Sequence, residues 1–486
     1  MSDLKLKTAR TLKWNTFDRL SSQVLYAVTG IILANLLTPA EFGLVGAILV
    51  FQAFATLFVD SGFSNALIQR KLPTETDYST VFYFNLAMSA VIYILLWLCS
   101  PLIDKLFHAN GQLTPLARVM FLTFIINATA IVQTNRLMKQ MNVRMIAISN
   151  AVGLVVSGAL GIWMAFTGWG AWAIVWQSVA LAIVKSALLW LTSHWKPLLT
   201  FSISSLKTIF AVGSGVMASS LLNILSQNFC SFIIGAYYNL SQLGCYTQAD
   251  KWSKMGYTSL SQVVTASFLP LLSGCQDDPE RFHSMIGKTH RFTAYITLPC
   301  LILVAVAAEA IFHTLFGLKW DSAILLFQLL AVRGIFIVLT SLYNNHILAI
   351  GAARKMFHSE IVKDALAIAA IIATIPLGVT WLVAGQVIAA AVYFFYAVWL
   401  TARVTGYSAR KFIIELIPYV LLVAISAAPA VALNYFSLIE NSILLLLAQV
   451  AIFAAIYIGL NALLRSHIQS EVMTYAFGRL TGKRLK

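Results

Sequence analysis

The stretch "ILLLLAQVAIFAAIYIGL", residues 443–460, contains no charged residue. Comparable apolar segments recur near 16–37, 42–68, 80–100, 115–138, 146–166, 169–191, 207–237, 243–272, 291–315, 322–349, 356–377, 381–402, 412–435 and 442–464, fourteen in all. A helix needs about 20 mostly apolar residues to cross a bilayer. A spanning chain must also satisfy its own backbone hydrogen bonds, which leaves helices or closed barrels. Barrel strands would alternate apolar and polar residues in segments of about ten, whereas these runs are continuous. The prediction is an all-α polytopic membrane protein with about fourteen transmembrane helices. Composition agrees, with 59% hydrophobic and 10% charged residues, against roughly 25% charged in soluble domains.

The connections leave no room for a soluble domain; the longest cover 192–206 and 273–290. The first apolar run is too long for a cleavable signal peptide, so it is expected to stay in the membrane. Cys99, Cys230, Cys245, Cys275 and Cys300 are scattered, with no CxxC spacing, so neither a disulfide framework nor a metal site is expected.

The net charge of +15 could suggest a nucleic acid partner, but its distribution points to a membrane. With a cytoplasmic N-terminus, only Lys105, Arg118 and Lys319 fall in outer segments. The remaining loop cations, such as Arg70, Lys71, Arg136, Lys139, Arg354, Lys355, Arg410 and Lys411, fall inside. This follows the positive-inside rule. It predicts an even number of spans, both termini cytoplasmic, periplasmic loops at 38–42, 167–170, 238–242 and 436–441, and cytoplasmic loops at 69–79, 192–206 and 403–411. Arg19, Lys185, Lys251, Lys254, Arg333 and Lys363 remain inside spans.

The chain repeats itself weakly at an offset of about 201–210 residues. "IILANLLTPAEFG" (31–43) aligns with "FIIGAYYNLSQLG" (232–244), and the "LF" pair at 106–107 with that at 315–316. "TNRLMKQMNVRM" (134–145) aligns with "NNHILAIGAARK" (344–355), placing Asn135 on Asn345 and Arg144 on Arg354. Six spans per repeat make the repeats parallel about an axis along the membrane normal, a transporter architecture. The expected division is an N-lobe over 1–200, a C-lobe over 201–406, and two further helices with a basic tail over 407–486.

On these residues the chain resembles the polysaccharide transporter family of Wzx-type flippases, within the multidrug/oligosaccharidyl-lipid/polysaccharide exporter superfamily. The carrying stretches are "LLTPAEFGLVGAI", "DSGFSNALIQRK", "TDYSTVFYFNLA", "GWGAWAIVWQS", "YYNLSQLGCYTQADKW" and "LFGLKWDSAILLFQLLAVRG", which fall in the family's order within about residues 10–360. The resemblance implies two six-helix lobes around a central cavity, alternating access, and movement of undecaprenyl-pyrophosphate-linked oligosaccharide between leaflets of the bacterial inner membrane. It implies a place beside a polysaccharide polymerase and chain-length regulator. Related sequences often carry an acidic residue near the start of the "IIGA" segment, where this chain has "SQNF" (226–229), so no coupling carboxylate is expected there.

Placing a charge at a bilayer centre costs roughly 2.5–3.5 kcal/mol, so intramembrane charges need a purpose. Thr247, Lys251, Lys254, Thr258, Ser261 and Thr265 follow at spacings of three and four, one face of a helix. Arg19, Ser22, Gln23, Tyr26 and Thr29 share a face of the first span, Gln52, Thr56, Asp60 and Ser64 of the second, and Ser220, Asn223 and Gln227 of the seventh. The resemblance places these equivalent spans around the cavity. Arg19, Lys251, Lys254 and Arg333 are the candidate pyrophosphate-binding residues. Asp60, Asp250, Gln23, Gln52, Asn223, Gln227, Lys363 and Asp364 are candidate cavity or ion-coupling residues. Structural alternatives exist for each. Lys251 and Lys254 can bridge to Asp250, Asp60 or Asp364. Arg19 and Lys185 can snorkel to the surface. Arg333 is expected to pair with Glu309, Asp60 can cap the "SGF" break, and Lys363 and Asp364, being adjacent, need other partners.

Other chemistry is unsupported. "IGKT" (286–289) resembles the end of a P-loop, but its first glycine would fall at Phe282. No HExxH or DxD pattern occurs, and no cofactor or metal is expected. The leading function is a lipid-linked oligosaccharide flippase, not an enzyme, whose partners are that substrate and membrane lipid. The alternatives are a drug or cation exporter of the same superfamily, against which the lack of an acidic excess argues, and a membrane glycosyltransferase or polymerase, against which the short outer loops argue.

Overall fold

The computed structural model describes residues 2–60, 63, 67–68, 70, 73–436, 439, 441–466 and 468–470. Among them the ordered structure is helical, with no strand. The helices are α1 (Ser2–Leu36), α2 (Pro39–Asp60), α3 (Glu75–Leu106), α4 (Leu113–Met120), α5 (Leu122–Lys139), α6 (Val143–Phe166), α7 (Trp172–Ser193), α8 (Ile203–Tyr237) and α9 (Leu240–Ser273). They continue as α10 (Pro279–Val306), α11 (Ala308–Leu315), α12 (Asp321–Ala349), α13 (Ala353–Thr374), α14 (Val379–Thr405), α15 (Ala409–Tyr435) and α16 (Ser442–Leu463). The described residues of each of the fourteen apolar segments lie largely on one or two of these helices.

Ten helical segments among the described residues are long and apolar enough to cross a membrane, four fewer than the sequence suggested. α1, α8, α9 and α13 are the long helices that do not qualify. α1, α8 and α9 carry three of the four polar stripes, and α13 carries Glu360, Lys363 and Asp364. A helix that gives one face to polar partners is less apolar than one that faces lipid.

The chain divides into two compact units, Met1–Thr247 and Gln248–Lys486, with the boundary inside α9. In the first unit α6 packs on α1 and α7 through a face of small residues. A Cβ at Gly158 would lie 2.9 Å from Thr29 Oγ1, and one at Gly161 would lie 3.0 Å from the Gln177 Cβ. Small residues let helices approach where no hydrophobic effect drives them together. Opposite faces stay apolar and exposed, as with Val91, Ile94, Leu95, Leu98 and Leu102 on α3.

In the second unit the core runs through Tyr257, Leu298, Tyr343, Phe394, Phe412 and Phe453. The last two long helices, α15 and α16, dock on α10. Tyr457 donates to the Tyr295 carbonyl at 2.9 Å, and the Arg291 guanidinium meets Glu415 at 2.7 Å. Gln449 donates to Asn434 at 2.7 Å, tying α16 to α15. Outside the spans, burial and the Glu415 bond push the Tyr407 hydroxyl above its ordinary range, so it stays a donor to that carboxylate.

Candidate functional site

Asp250 organises the polar interior of the second unit. Its side chain is buried, and Lys254, one helical turn on, reaches it at 2.6 Å. Arg333 of α12 approaches its other oxygen at 3.3 Å and also donates to Gln386 of α14. The sequence-based pairing of Arg333 with Glu309 is thus corrected. Arg333 lies twelve residues into α12, about 18 Å from its start at 1.5 Å per residue. Glu309 is exposed on α11, which precedes that start. Close helix packing makes the Asp250 contact possible: a Cβ at Gly334 would lie 2.9 Å from the Tyr257 Cβ.

Lys251 behaves differently. It is exposed, its ammonium sits 5.4 Å from the centroid of the Trp252 ring, and among the described residues it pairs with no carboxylate. One buried carboxylate therefore faces two cations, Lys254 and Arg333, while Lys251, one residue on, lies over the Trp252 ring. The far end of the α9 stripe turns to a neighbouring helix, because Ser261 donates to Ser341 of α12 at 2.9 Å and Thr265 lies 3.3 Å from the same hydroxyl.

Lys363 and Asp364 belong to another cluster. Lys363 pairs with Glu360 and lies 3.9 Å from Asp364. Glu360 also accepts from Asn344 at 2.6 Å. Asn344 lies eleven residues beyond Arg333, about 16 Å along α12, so the structure does not join this cluster to Asp250.

In the first unit Arg19 is exposed and has no ion-pair partner among the described residues. Its neighbour Asp18 accepts from Asn150 at 3.1 Å. The Lys185 Cβ faces Gly153 of α6, where an added Cβ would lie 3.5 Å away. Gln23 is half-buried on α1. Gln52 donates to Thr123 at 3.2 Å and so faces its own bundle. Asn223 and Gln227 are exposed and bond each other. The side chains of Asp60 and Ser64 lie outside the described residues.

Two arrangements escaped sequence reasoning. The first explains the repeated motif. Thr38 and Glu41 form a reciprocal cap at the start of α2, and Asn239 accepts from the Gln242 amide at the start of α9. Five residues past each cap stand Gly43 and Gly244. A Cβ at Gly43 would fall 1.7 Å from the Leu240 carbonyl oxygen, and one at Gly244 would fall 1.8 Å from that of Pro39. The two repeat-equivalent helix starts thus touch backbone to backbone, reciprocally. The second is a buried pair of histidines. His290 lies 3.0 Å from the Phe412 carbonyl, His346 lies 3.2 Å from the Thr289 hydroxyl, and Tyr343 packs between them. Here they tie α10, α12 and α15 together.

A profile for the family described as "Polysaccharide biosynthesis protein" matches residues 32–325. The teichuronic acid biosynthesis protein TuaB of Bacillus subtilis (strain 168) is 26% identical over 349 residues, covering 71% of this chain and 72% of its own. The lipopolysaccharide biosynthesis protein WzxC of Escherichia coli (strain K12) is 24% identical over 377 residues, covering 76% and 75%. Among solved structures, the lipid II flippase MurJ in an inward closed conformation superposes with a TM-score of 0.73 at 13% identity, over 96% of this chain and 99% of that one.

Proposed function

The chain belongs to the polysaccharide biosynthesis protein family, and from that premise we propose that it is a flippase moving undecaprenyl-pyrophosphate-linked oligosaccharide across the bacterial inner membrane by alternating access. The observation that carries this reading is the excess of cations on polar helix faces of a multi-pass helical protein: Lys251 and Arg19, exposed and without ion-pair partners among the described residues, and Lys254 and Arg333 sharing Asp250. A pyrophosphate diester needs such charge. A cationic drug would need the opposite sign.

In this reading Lys251 of the second unit contacts the pyrophosphate directly, and Arg19 of the first unit is a separate candidate for such a contact. Asp250 holds Lys254 and Arg333 in place and limits the local charge, so the anion is held but can leave. The carbohydrate travels along Gln23, Asn223 and Gln227, while the polyprenyl tail stays in lipid. Nothing is bonded or cleaved, and no cofactor takes part. The membrane potential favours export, since moving one charge is worth about 2.3 kcal/mol per 100 mV and the diester carries roughly two. We also propose the lobe division at 1–200 and 201–406 with appended helices over 407–486, both termini in the cytoplasm, and a polymerase and chain-length regulator as downstream partners. Supporting the division is the reciprocal contact of Gly43 and Gly244, which repeats at an offset of 201 residues.

The test is deletion of the gene followed by mass spectrometry of polyprenyl-linked intermediates. The expected result is accumulation of one complete, unpolymerised repeat unit on the cytoplasmic leaflet. Unchanged intermediates together with altered drug sensitivity would replace the flippase reading with an exporter.

A further inference from the structure

α12 ends in a sharp turn. Gly351 has φ +75°, and the Ala352 amide returns to the Ile347 carbonyl at 3.2 Å. The repeat-equivalent turn ends α5, where Met141 has φ +56° and the Asn142 amide returns to the Leu137 carbonyl at 2.9 Å. Each turn is followed by an arginine at the same step, Arg144 in one repeat and Arg354 in the other. At the α5 turn the corner is closed by the extension of α1. Thr11 donates to the Met141 carbonyl at 3.3 Å, and the Arg144 guanidinium sits 5.5 Å from the Trp14 ring. At the α12 turn no helix among the described residues closes the corner in this way.

What stands there is a cavity of about 390 Å³ lined by Gly351, Ala352, Arg354, Lys355, His358 and Tyr396, with no carboxylate among its lining residues. Arg354, Lys355 and His358 are exposed, and among the described residues neither Arg354 nor Lys355 has an ion-pair partner. Ala352 supplies no side-chain cap to α13. The surroundings are apolar. Phe357 is 48% exposed beside His358, and Trp399 is 50% exposed with its ring 5.8 Å from Tyr396. Trp399 ends the exposed stripe Ile388, Val392, Phe395 and Trp399 on α14, and Arg403 lies over it at 5.5 Å. Aromatic and basic residues in this order mark the level where acyl chains give way to headgroups.

We propose that this cavity binds a phosphate-bearing anion, and that the phosphate belongs to an anionic phospholipid whose chains lie along the α14 stripe. Basic pockets between helices at the cytoplasmic side suit such headgroups. The cavity lies in the second unit, about 20 residues along α12 from Arg333, and does not depend on what the protein transports. Because soluble phosphate shares the chemistry, the test has two arms. The full chain, purified in mild detergent, is titrated with phosphatidylglycerol or phosphatidylcholine and read by native mass spectrometry. In parallel it is titrated with inorganic phosphate and pyrophosphate and read by thermal shift. The Arg354→Gln, Lys355→Gln double variant is compared with the charge-conserving Arg354→Lys, Lys355→Arg variant.

The expected result is a phosphatidylglycerol adduct on the wild type and the charge-conserving variant. The neutral variant should lose roughly tenfold or more in occupancy, with no change for phosphatidylcholine. Equal phosphatidylglycerol occupancy in all three proteins, with phosphate protection only where the cations remain, would overturn the lipid source in favour of a soluble anion. No difference in either arm would overturn the site.

Discussion

Lys251 and Lys254 stand three residues apart on one face of α9, yet they do different work. Lys254 is held by Asp250 at 2.6 Å, and Lys251 pairs with no carboxylate among the described residues. Lys251→Gln removes a charge-assisted contact worth about 1.5–3 kcal/mol, so the rate of flipping per inserted molecule should fall by roughly ten- to a hundredfold at unchanged membrane abundance. Lys254→Gln should cost far less transport, because Arg333 still compensates Asp250. Asp250→Asn should instead lower abundance, since it leaves Lys254 and Arg333 adjacent without a counter-charge. The measurements are complementation of polymer synthesis and quantitative immunoblotting of membranes. Normal transport by the Lys251→Glu, Lys254→Glu double variant would remove the anion site.

At the scale of elements, the reciprocal contact between the starts of α2 and α9 makes Gly43 and Gly244 more demanding than other glycines. A side chain at either would overlap a carbonyl oxygen, at 1.7 and 1.8 Å. Gly46 is milder, because its added Cβ would meet the Thr247 methyl at 3.0 Å, a side-chain atom that can turn away. Gly43→Val or Gly244→Val should therefore force the two helix starts apart, whereas Gly46→Ala should behave nearly as wild type. A single cysteine at position 240 in a cysteine-free background reports this. Its labelling by a polar maleimide should rise several-fold in the Gly43 variant. Equal labelling would show that the contact does not hold the two starts together. The docking of α15 on α10 gives a second expectation. Glu415→Gln leaves Arg291 without its carboxylate and weakens the bond from Tyr407, so the variant should lose about 1–3 kcal/mol of stability, read as a lower melting temperature in detergent.

For the whole molecule the testable quantity is sidedness. From the cation asymmetry we propose that 38–42 and 238–242 lie on the periplasmic side and 192–206 on the cytoplasmic side. Cysteines at 239 and 437 should label in intact spheroplasts, and one at 199 only after permeabilisation. Labelling at 239 only after permeabilisation would invert the topology. It would also place the cavity beside Arg354 on the outer face, where anionic lipid is not expected to gather.

The sequence by itself determined the class and most of the scaffold. Hydrocarbon leaves a spanning segment only helix or closed barrel, and continuous apolar runs exclude the barrel, so fourteen segments could be located by composition alone, and their described residues lie largely on helix. The repeated "TPAEFG" and "NLSQLG" stretches were legible as equivalents because a helix start needs a cap at a fixed spacing. Spacing also put Lys251 and Lys254 on one face, since 3.6 residues make a turn. What spacing cannot give is how far each helix is rotated toward its neighbours. That rotation sends Arg333 to Asp250 and Gln386 rather than Glu309, turns Ser261 and Thr265 onto Ser341, and binds Gln52 to Thr123. It also brings His290 and His346 together from spans 56 residues apart. Only the tertiary structure could decide which cations are neutralised, because an ion pair forms at a few ångströms while sequence separation constrains distance only within one helix. Close backbone contacts at Gly43 and Gly244 follow the same logic: the missing side chain is visible in the sequence, but the carbonyl oxygen that requires its absence is supplied by a helix two hundred residues away.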